Sequence, residues 1–298
     1  AAAFPAAAFQ WMGLLAEDNA ETAARTEAAK AAKNGNWKVA WEAYQKLVLE
    51  PKTEAKAVVQ DLAQAVLCLN QLGQHQQVDE FLEKATGTHS ENWRLLFQAA
   101  QAYMNGQHYG YIVGGKFSRG HHRGGGRYVN AYLRDRVLAL QLMQRAMEKV
   151  KGETDGNGLF DFYQRFAGML LNNYGQAWRL QALTELSDLP DWDDANNYGY
   201  GGDRGAPVDR EGKPVFHKLP RNWAEALSDG ERWRWLLMQA AESLPARGDE
   251  VRMQFAQFLR GQFDVQTMAY YGRGIGRDTG DGKEDESGPY AVKTLGED

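Results

Sequence analysis

The residues best suited to chemistry lie in a basic, glycine-rich segment at 114–127. It carries Lys116, Arg119, Arg123 and Arg127 among glycines, whose small size lets backbone N–H groups approach an anion. That combination would suit a phosphate group. However, the segment lacks the Gly-x-x-x-x-Gly-Lys-Ser/Thr order of a P-loop, and no strand rich in Val or Ile precedes it. The pattern favours a structured loop that folds over neighbouring helices or meets another domain, with phosphate binding as the weaker interpretation.

Histidines in the same segment are poorly arranged for a metal ion. His121 and His122 are adjacent, so their side chains tend to diverge rather than face one ion. A zinc site needs further ligands of the right type, and the single cysteine, Cys68, lies elsewhere in an apolar run that predicts a buried thiol. We therefore predict neither a metal nor a cofactor.

A second segment, 153–161, approaches the spacing of a calcium-binding loop. Residues with side-chain oxygen occupy its first, third, fifth and ninth positions, and a glycine occupies the sixth. The first position is Glu153 rather than Asp, and Gln164 at the twelfth cannot supply a bidentate carboxylate. The segment is better explained as a polar turn between two helices.

Two acidic clusters lack the partners that catalysis would need. Asp188, Asp191, Asp193 and Asp194 form one cluster, and the stretch at 278–286 forms the other. No histidine or nucleophile stands near either in a recognisable order. Turn chemistry explains the first cluster and a solvated linker the second.

Tyrosines in glycine-rich segments are candidates for binding rather than catalysis. Tyr198, Tyr200, Tyr270 and Tyr271 could anchor another domain or a ligand, because tyrosine is enriched at interfaces; local packing is the alternative. The complete set of predicted binding residues is Arg119, Arg123, Arg127, Tyr198, Tyr200, Tyr270 and Tyr271.

The elements that must position these residues are helical hairpins. A glycine that ends one helix recurs at Gly35 and Gly73, with a weaker copy at Gly106, at spacings close to the tetratricopeptide period of about 34 residues. Five places after the glycine comes a small or β-branched residue, and nine places after it comes Tyr44 or Leu82 to fill the next groove. Two-helix units of this kind stack into a solenoid.

The pattern predicts an all-α fold, a tetratricopeptide-like solenoid of helical hairpins with irregular Gly/Tyr-rich insertions, one of them a candidate short β-hairpin at 206–216. Helices are predicted at 20–34, 37–49, 54–72, 76–86, 91–105, 129–149, 159–172, 176–186, 223–244 and 248–262. The corresponding regions are an N-terminal segment at 1–19, repeats at 20–113, the basic loop at 114–127, hairpins at 128–188, an insertion at 189–221, a hairpin at 222–269 and a linker at 270–298.

Composition narrows the class of partner. The chain has 298 residues, 43% of them hydrophobic and 24% charged, which is typical of a globular protein. Its net charge of −5 argues against nucleic acid as the main ligand. No apolar run is long enough for a membrane span.

Both ends of the sequence suggest a larger context. The first eight residues are Ala-rich, which fits either the remnant of a secretory signal or the start of a helix that continues into Trp11. The last residues carry no terminating signal, so we expect a fragment of a longer polypeptide.

Several strings between about Asn92 and Gln266 resemble, as a set, the helical N-terminal region of very large bacterial alpha-2-macroglobulin-like proteins. They are Arg-Gly-Gly-Gly-Arg-Tyr-Val-Asn at 123–130, Arg-Asp-Arg-Val-Leu-Ala-Leu-Gln-Leu-Met at 134–143, Tyr-Gly-Gln-Ala-Trp-Arg-Leu-Gln-Ala-Leu-Thr at 174–184, Gly-Ala-Pro-Val-Asp at 205–209, Asp-Gly-Glu-Arg-Trp-Arg-Trp at 229–235 and Phe-Asp-Val-Gln-Thr-Met at 263–268.

That resemblance implies a periplasmic or secreted protein that traps or inhibits proteases. The family's bait region and Cys-Gly-Glu-Gln thioester are not visible here, since Cys68 is followed by Leu-Asn-Gln, and no functional residue carries over. The resemblance therefore implies an appended helical scaffold whose partners are other domains of the same polypeptide, and proteases through the full-length protein.

The sequence thus predicts a non-catalytic docking or spacing region of an alpha-2-macroglobulin-like endopeptidase inhibitor. The alternative is a free-standing, tetratricopeptide-type adaptor that binds a protein or peptide segment. The alternative localisation is the cytoplasm. A third hypothesis is an enzyme or nucleotide binder that uses the loop at 114–127.

Overall fold

The computed structural model describes residues 6–171, 180–194, 208–209, 211 and 213–263. These residues fall into two compact units. The first unit lies within Ala1–Gly152 and Glu185–Tyr198, and the second within Glu153–Thr184 and Gly199–Asp298. The described residues are mostly helical with one small antiparallel sheet, so the predicted all-α class with a short β insertion is confirmed.

Helical hairpins build most of the first unit. Its helices are α1 (Ala6–Lys33), α2 (Trp37–Leu49), α3 (Ala57–Gln71), α4 (Val78–Thr88), α5 (Trp93–Asn105) and α6 (Tyr132–Lys149). No helix of the described residues is both long and apolar enough to cross a membrane.

The two predicted hairpin glycines end their helices in the same way. Gly35 and Gly73 have φ of 77° and 66°, a left-handed conformation that costs glycine least. Gly35 N–H donates to the Ala32 carbonyl, and the next N–H, that of Asn36, donates to the carbonyl of Ala31. The same pair of bonds closes α3 around Gly73. Both ends are Schellman caps, which turn the chain back into the next helix.

The groove-filling positions of these hairpins are buried, as predicted. Ala40 and Val78, five places after the glycines, are 0% and 6% exposed. Tyr44 and Leu82, nine places after them, are also buried. Cys68 lies fully inside α3, where burial raises the pKa of its thiol, so the predicted buried cysteine is confirmed.

The weaker third copy of the repeat was wrong. Gly106 has φ −79° and ψ −176°, so the chain leaves α5 extended instead of turning into another helix. Aromatic and β-branched residues then favour a strand. The resulting sheet has the order β2-β1-β3-β4, with β1 (Tyr109–Val113), β2 (Lys116–Arg119), β3 (Arg127–Asn130) and β4 (Asp193–Asp194), all antiparallel.

Part of the predicted glycine-rich loop is therefore sheet, namely Lys116–Arg119 and Arg127. Gly114 and Gly115 form the two-residue turn between β1 and β2, both with positive φ, as a type I′ hairpin requires. β4 comes from the segment 185–194, which we call the returning segment because it rejoins the first unit after the chain has entered the second.

Gly110 in β1 is a point where the sheet has no room for a side chain. A Cβ there would lie 2.3 Å from the Ser118 carbonyl oxygen and 2.5 Å from the Phe117 ring. Gly110→Ala is therefore expected to force β1 and β2 apart and to lower the free energy of unfolding by about 1–3 kcal/mol in urea denaturation. Gly125→Ala is the matched control, because nothing lies within 4 Å of its added Cβ. Equal effects of the two substitutions would contradict this account.

Aromatic side chains fill the second unit, which contains α7 (Gly156–Leu171), α8 (Asp229–Ser243) and α9 (Gly248–Phe263). The ring of Trp223 lies 4.8 Å from that of Phe166, and the ring of Trp233 lies 4.4 Å from that of Phe258. Trp93 in the first unit is buried too, whereas Trp235 is only partly buried. The three buried tryptophans, Trp93, Trp223 and Trp233, therefore fill grooves among the helices.

Two predicted helices, those at 176–186 and 223–244, were wrong in extent. Residues 183–186 are not helical, because Asp229 binds the backbone N–H and the hydroxyl of Thr184 and its own N–H donates to Ala182. The helix predicted at 223–244 is broken after a short 3₁₀ turn. α8 begins at Asp229, and the hydroxyl of Ser228, the N-cap residue, accepts from the N–H of Glu231.

The candidate calcium loop at 153–161 and the candidate hairpin at 206–216 are both simpler than their sequence patterns suggested. Asp155 caps α7 by accepting from Gly158 N–H, so Gly158 lies in a helix and the calcium-loop geometry does not form. The candidate hairpin at 206–216 is reduced, in its described part, to one bridge between Val208 and Pro214. Asp209 holds its turn by accepting from two backbone N–H groups.

Candidate binding cavity

A buried guanidinium joins the sheet to two helices of the first unit. Arg119, the last residue of β2, is only 4% exposed. Its Nη2 and Nε lie 2.6 and 3.0 Å from the two carboxylate oxygens of Asp79 on α4. Its Nη1 and Nη2 each lie 2.7 Å from an oxygen of Asp135 on α6. With a fifth bond to the carbonyl of Gln107, all five N–H groups of Arg119 are used.

The charges of this cluster support one another. Burial opposes the charge of Arg119, but hydrogen bonds and attraction from Asp135 and Asp79 outweigh it and raise the pKa of Arg119 above its ordinary value. Asp135, 1% exposed, also accepts a 2.8 Å bond from His108 Nδ1. The other ring nitrogen of His108 lies 3.2 Å from the Met104 carbonyl.

A cavity of about 720 Å³ opens beside this cluster; we call it the α4–α6 cavity. Its volume is within the range of ligand-binding pockets. Residues of α4, α5, α6, β2 and the returning segment line it, all of them within the first unit. Its apolar wall consists of Phe117, Leu138, Leu142, Leu189 and Trp192.

The aromatic part of that wall is held in place from both sides. The rings of Phe117 and Trp192 stack with their centroids 4.4 Å apart. The guanidinium of Arg134 lies 4.2 Å from the centre of the Trp192 ring and donates to the Pro190 carbonyl. The returning segment is therefore fixed against α6 by a cation–π contact as well as by the β3–β4 pairing.

One polar group in the cavity has no partner in the described structure. Tyr103 on α5 is 9% exposed and lines the cavity, yet its hydroxyl makes no hydrogen bond with a described residue. Burial raises the pKa of Tyr103, and the negative charge of Asp79 raises it further. Its hydroxyl is thus a neutral donor that a ligand acceptor in the cavity could use.

The charges that line the cavity are unevenly satisfied. Arg134 and Arg145 both donate to backbone carbonyls, those of Pro190 and Thr86, and Arg119 has no donor left. The carboxylates of Glu83 and Glu148 are exposed at the cavity and have no ion pair with a described residue. A ligand in the cavity therefore meets an apolar wall and exposed charges of both signs, since Arg145 is exposed as well.

The predicted binding residues do not converge. Arg119 belongs to the cavity but is saturated, whereas Arg123 lies exposed in the β2–β3 loop and Arg127 lies exposed on β3. Arg119 therefore cannot join the other two around a phosphate, and a binding role for Arg123 and Arg127 stays a prediction. Tyr198, Tyr200, Tyr270 and Tyr271 lie outside the described residues. Within the described ranges, no three His, Cys, Asp or Glu residues are grouped so that they could hold a metal ion.

Sequence reasoning missed Asp79, Tyr103, Asp135 and Trp192. One signal existed: Asp135 stands in helical register with the buried Ala139, Leu142 and Ala146, so a carboxylate lies on an apolar helix face. A charge at such a position is almost always paired. The other three carry no local signal.

Comparison of the chain with models of known protein families, with curated proteins and with solved structures gave no match.

Proposed function

We propose that the first unit is a non-catalytic docking module that holds a segment of protein chain in the α4–α6 cavity. The observation that carries the proposal is the combination of an apolar wall, an unpartnered Tyr103 hydroxyl and two unpaired carboxylates in one cavity. Arg119, Asp79 and Asp135 are paired with one another, so the apolar wall and the exposed side chains are the parts of the cavity that can contact a ligand. A surface of this kind suits binding better than chemistry.

We further propose, from the sequence resemblance alone, that this module is the helical scaffold of a larger bacterial alpha-2-macroglobulin-like protein, periplasmic or secreted. Its docked segment would then come from another domain of the same polypeptide. The alternative is a free-standing adaptor whose segment comes from a different protein.

The docking proposal is tested by a photo-crosslinker placed in the cavity wall. With p-benzoylphenylalanine at Leu189 (36% exposed), we expect a crosslink in the source cells to one defined peptide, mapped by mass spectrometry. The control position is Val39 on α2, which is 59% exposed and lies outside the cavity lining. Leu138→Trp, which fills the cavity, should abolish the crosslink. A crosslink that survives this substitution, or none above the Val39 control, would refute docking.

The mass of the native polypeptide distinguishes a scaffold within a larger protein from a free-standing adaptor. An antibody against this region should detect a product far larger than 33.4 kDa if the scaffold proposal holds. A product near 33.4 kDa would leave the adaptor.

A further inference from the structure

An irregular stretch of the second unit is attached to the helices by one buried side chain. Residues 213–222, which we call the strap, lead up to the 3₁₀ turn that begins at Trp223. Among the strap residues, all of which the structure describes, the side chain of His217 is the only buried one, at 5% exposed. Phe216 and Leu219, by contrast, are 58% and 47% exposed. Attachment of the strap therefore depends on a histidine, whose charge changes between about pH 5 and 8.

The ring of His217 rests against the backbone of α8. A Cβ on Gly230, the second residue of that helix, would lie 2.3 Å from Cγ and Nδ1 of the ring and 2.5 Å from its Cδ2. These nearly equal distances place Gly230 over the face of the ring rather than at its edge. What glycine supplies at this position is space for the imidazole.

The surroundings of the ring disfavour an imidazolium. Nε2 of His217 is buried and has no hydrogen-bond partner in the described structure, whereas an imidazolium has two N–H groups to donate. The first turn of α8 carries the positive end of the helix dipole. Arg234 donates to the carbonyl of His217 itself, which brings another positive charge close to the ring.

The net effect of these surroundings is to lower the pKa of His217 below the ordinary histidine value. Burial has the largest influence and lowers it, Glu231 on α8 raises it, and Arg234 lowers it further. The carboxylate of Glu231 already accepts from the N–H of Leu227. It is therefore not held in reserve for an imidazolium.

The other charged groups near the start of α8 are engaged elsewhere. Asp229 accepts from the backbone N–H of Thr184, and Arg232 donates to the carbonyl of the same residue. α9 meets this region through the ring of Phe255, whose centre lies 4.6 Å from the Arg234 guanidinium. On the strap itself, Lys218 is exposed.

Acid therefore favours release of the strap. When the strap is released, His217 lies in water and binds a proton more readily than when its ring rests on Gly230. Above the ordinary histidine pKa of about 6.5, both states are neutral and the closed strap keeps its full stability. As the pH falls below that value, protonation stabilises the released state and the closed strap loses stability.

From this arrangement we propose that His217 is an acid-sensitive latch: protonation of its imidazole releases the strap from α8, and loss of the proton closes it again. The end of the strap stays attached, because the ring of Trp223 packs 4.8 Å from that of Phe166 on α7. Release uncovers Gly230 while α7 and α8 stay folded. The latch goes beyond the docking function proposed above, since the α4–α6 cavity lies in the first unit.

A nitroxide label on the strap of the full 298-residue chain measures the release. Leu219→Cys places the label at an exposed position, whereas Cys68 is buried and stays unlabelled. By electron paramagnetic resonance, the mobile fraction of the label should be about a tenth or less at about pH 8 and the larger part at about pH 5. A label that is equally immobile at both pH values would overturn the proposal.

Two substitutions assign the transition to the imidazole. In His217→Phe, a phenyl ring occupies the place on Gly230 without titrating, so the label should stay immobile at both pH values. His121→Phe changes an exposed histidine of the first unit and should leave the transition as it is. A transition that survives His217→Phe would show that another group controls the strap.

Gly230→Ala tests the contact without a change of pH. The added Cβ displaces the His217 ring, so the label should be mobile even at about pH 8 while circular dichroism shows intact helices. An immobile label in this variant would mean that the ring does not hold the strap. Circular dichroism of the wild-type chain should also stay constant between the two pH values. Loss of the helical signal together with label mobility would indicate acid unfolding and overturn the latch.

Discussion

Replacing Arg119 with methionine is expected to lower the free energy of unfolding of the first unit by about 3–5 kcal/mol. The substitution removes all five donated hydrogen bonds and leaves the carboxylate of Asp135, 1% exposed, without its main counter-charge. An uncompensated buried charge costs far more than the ion pair contributes. Urea denaturation followed by circular dichroism measures the loss, and amide exchange in α4, α5 and α6 locates it.

The control for this substitution is Arg127→Met on β3. Arg127 belongs to the same sheet but is exposed, so its loss should change stability by no more than about 0.5 kcal/mol. Asp135→Asn added to Arg119→Met removes the stranded charge and should recover part of the lost stability. If Arg119→Met costs no more than Arg127→Met, the cluster does not hold the sheet to the helices.

The hairpins could be predicted from the sequence because their signals are local. Gly35 and Gly73 mark helix ends through their own conformational freedom, and the residues that they place in the core follow at fixed intervals. Gly106 shows the limit of such reasoning. It follows an asparagine as Gly35 does and precedes Gln-His as Gly73 does, yet the strand-forming residues after it decide its conformation.

The cavity could not be predicted, because the residues that form it are far apart in the sequence and meet only in the folded protein. Arg119 looked like an anion-binding residue in its glycine-rich surroundings. Its actual partners, Asp79 and Asp135, are 40 and 16 residues away. Trp192 reaches the cavity only because a two-residue strand, too short for any periodicity, pairs with β3. The packing of α4, α5 and α6 brings these residues together, and no short stretch of the sequence contains all of them.

In the second unit, Trp233→Ala should produce a loss of similar size to that of Arg119→Met, about 3–5 kcal/mol. Trp233 is fully buried on α8, and its ring lies 4.4 Å from Phe258 and 5.8 Å from Phe255, both on α9. Truncation would leave a cavity between the two helices. Amide exchange in α8 and α9 should accelerate, while exchange in α2 and α3 of the first unit should not change.

Trp233→Phe separates ring packing from the indole nitrogen. Nε1 of Trp233 is buried and has no hydrogen-bond partner in the described structure, so the native side chain bears a desolvation cost of about 1–3 kcal/mol. Phenylalanine keeps an aromatic ring against Phe258 and removes that cost, which should offset much of the lost packing and hold the net loss to about 1 kcal/mol. Met238→Ala, at a position that is 40% exposed on the same helix, should cost about 0.5 kcal/mol or less. If Trp233→Phe destabilises as much as Trp233→Ala, the phenyl ring does not replace the indole, and the lost ring volume outweighs the removal of the unpartnered Nε1.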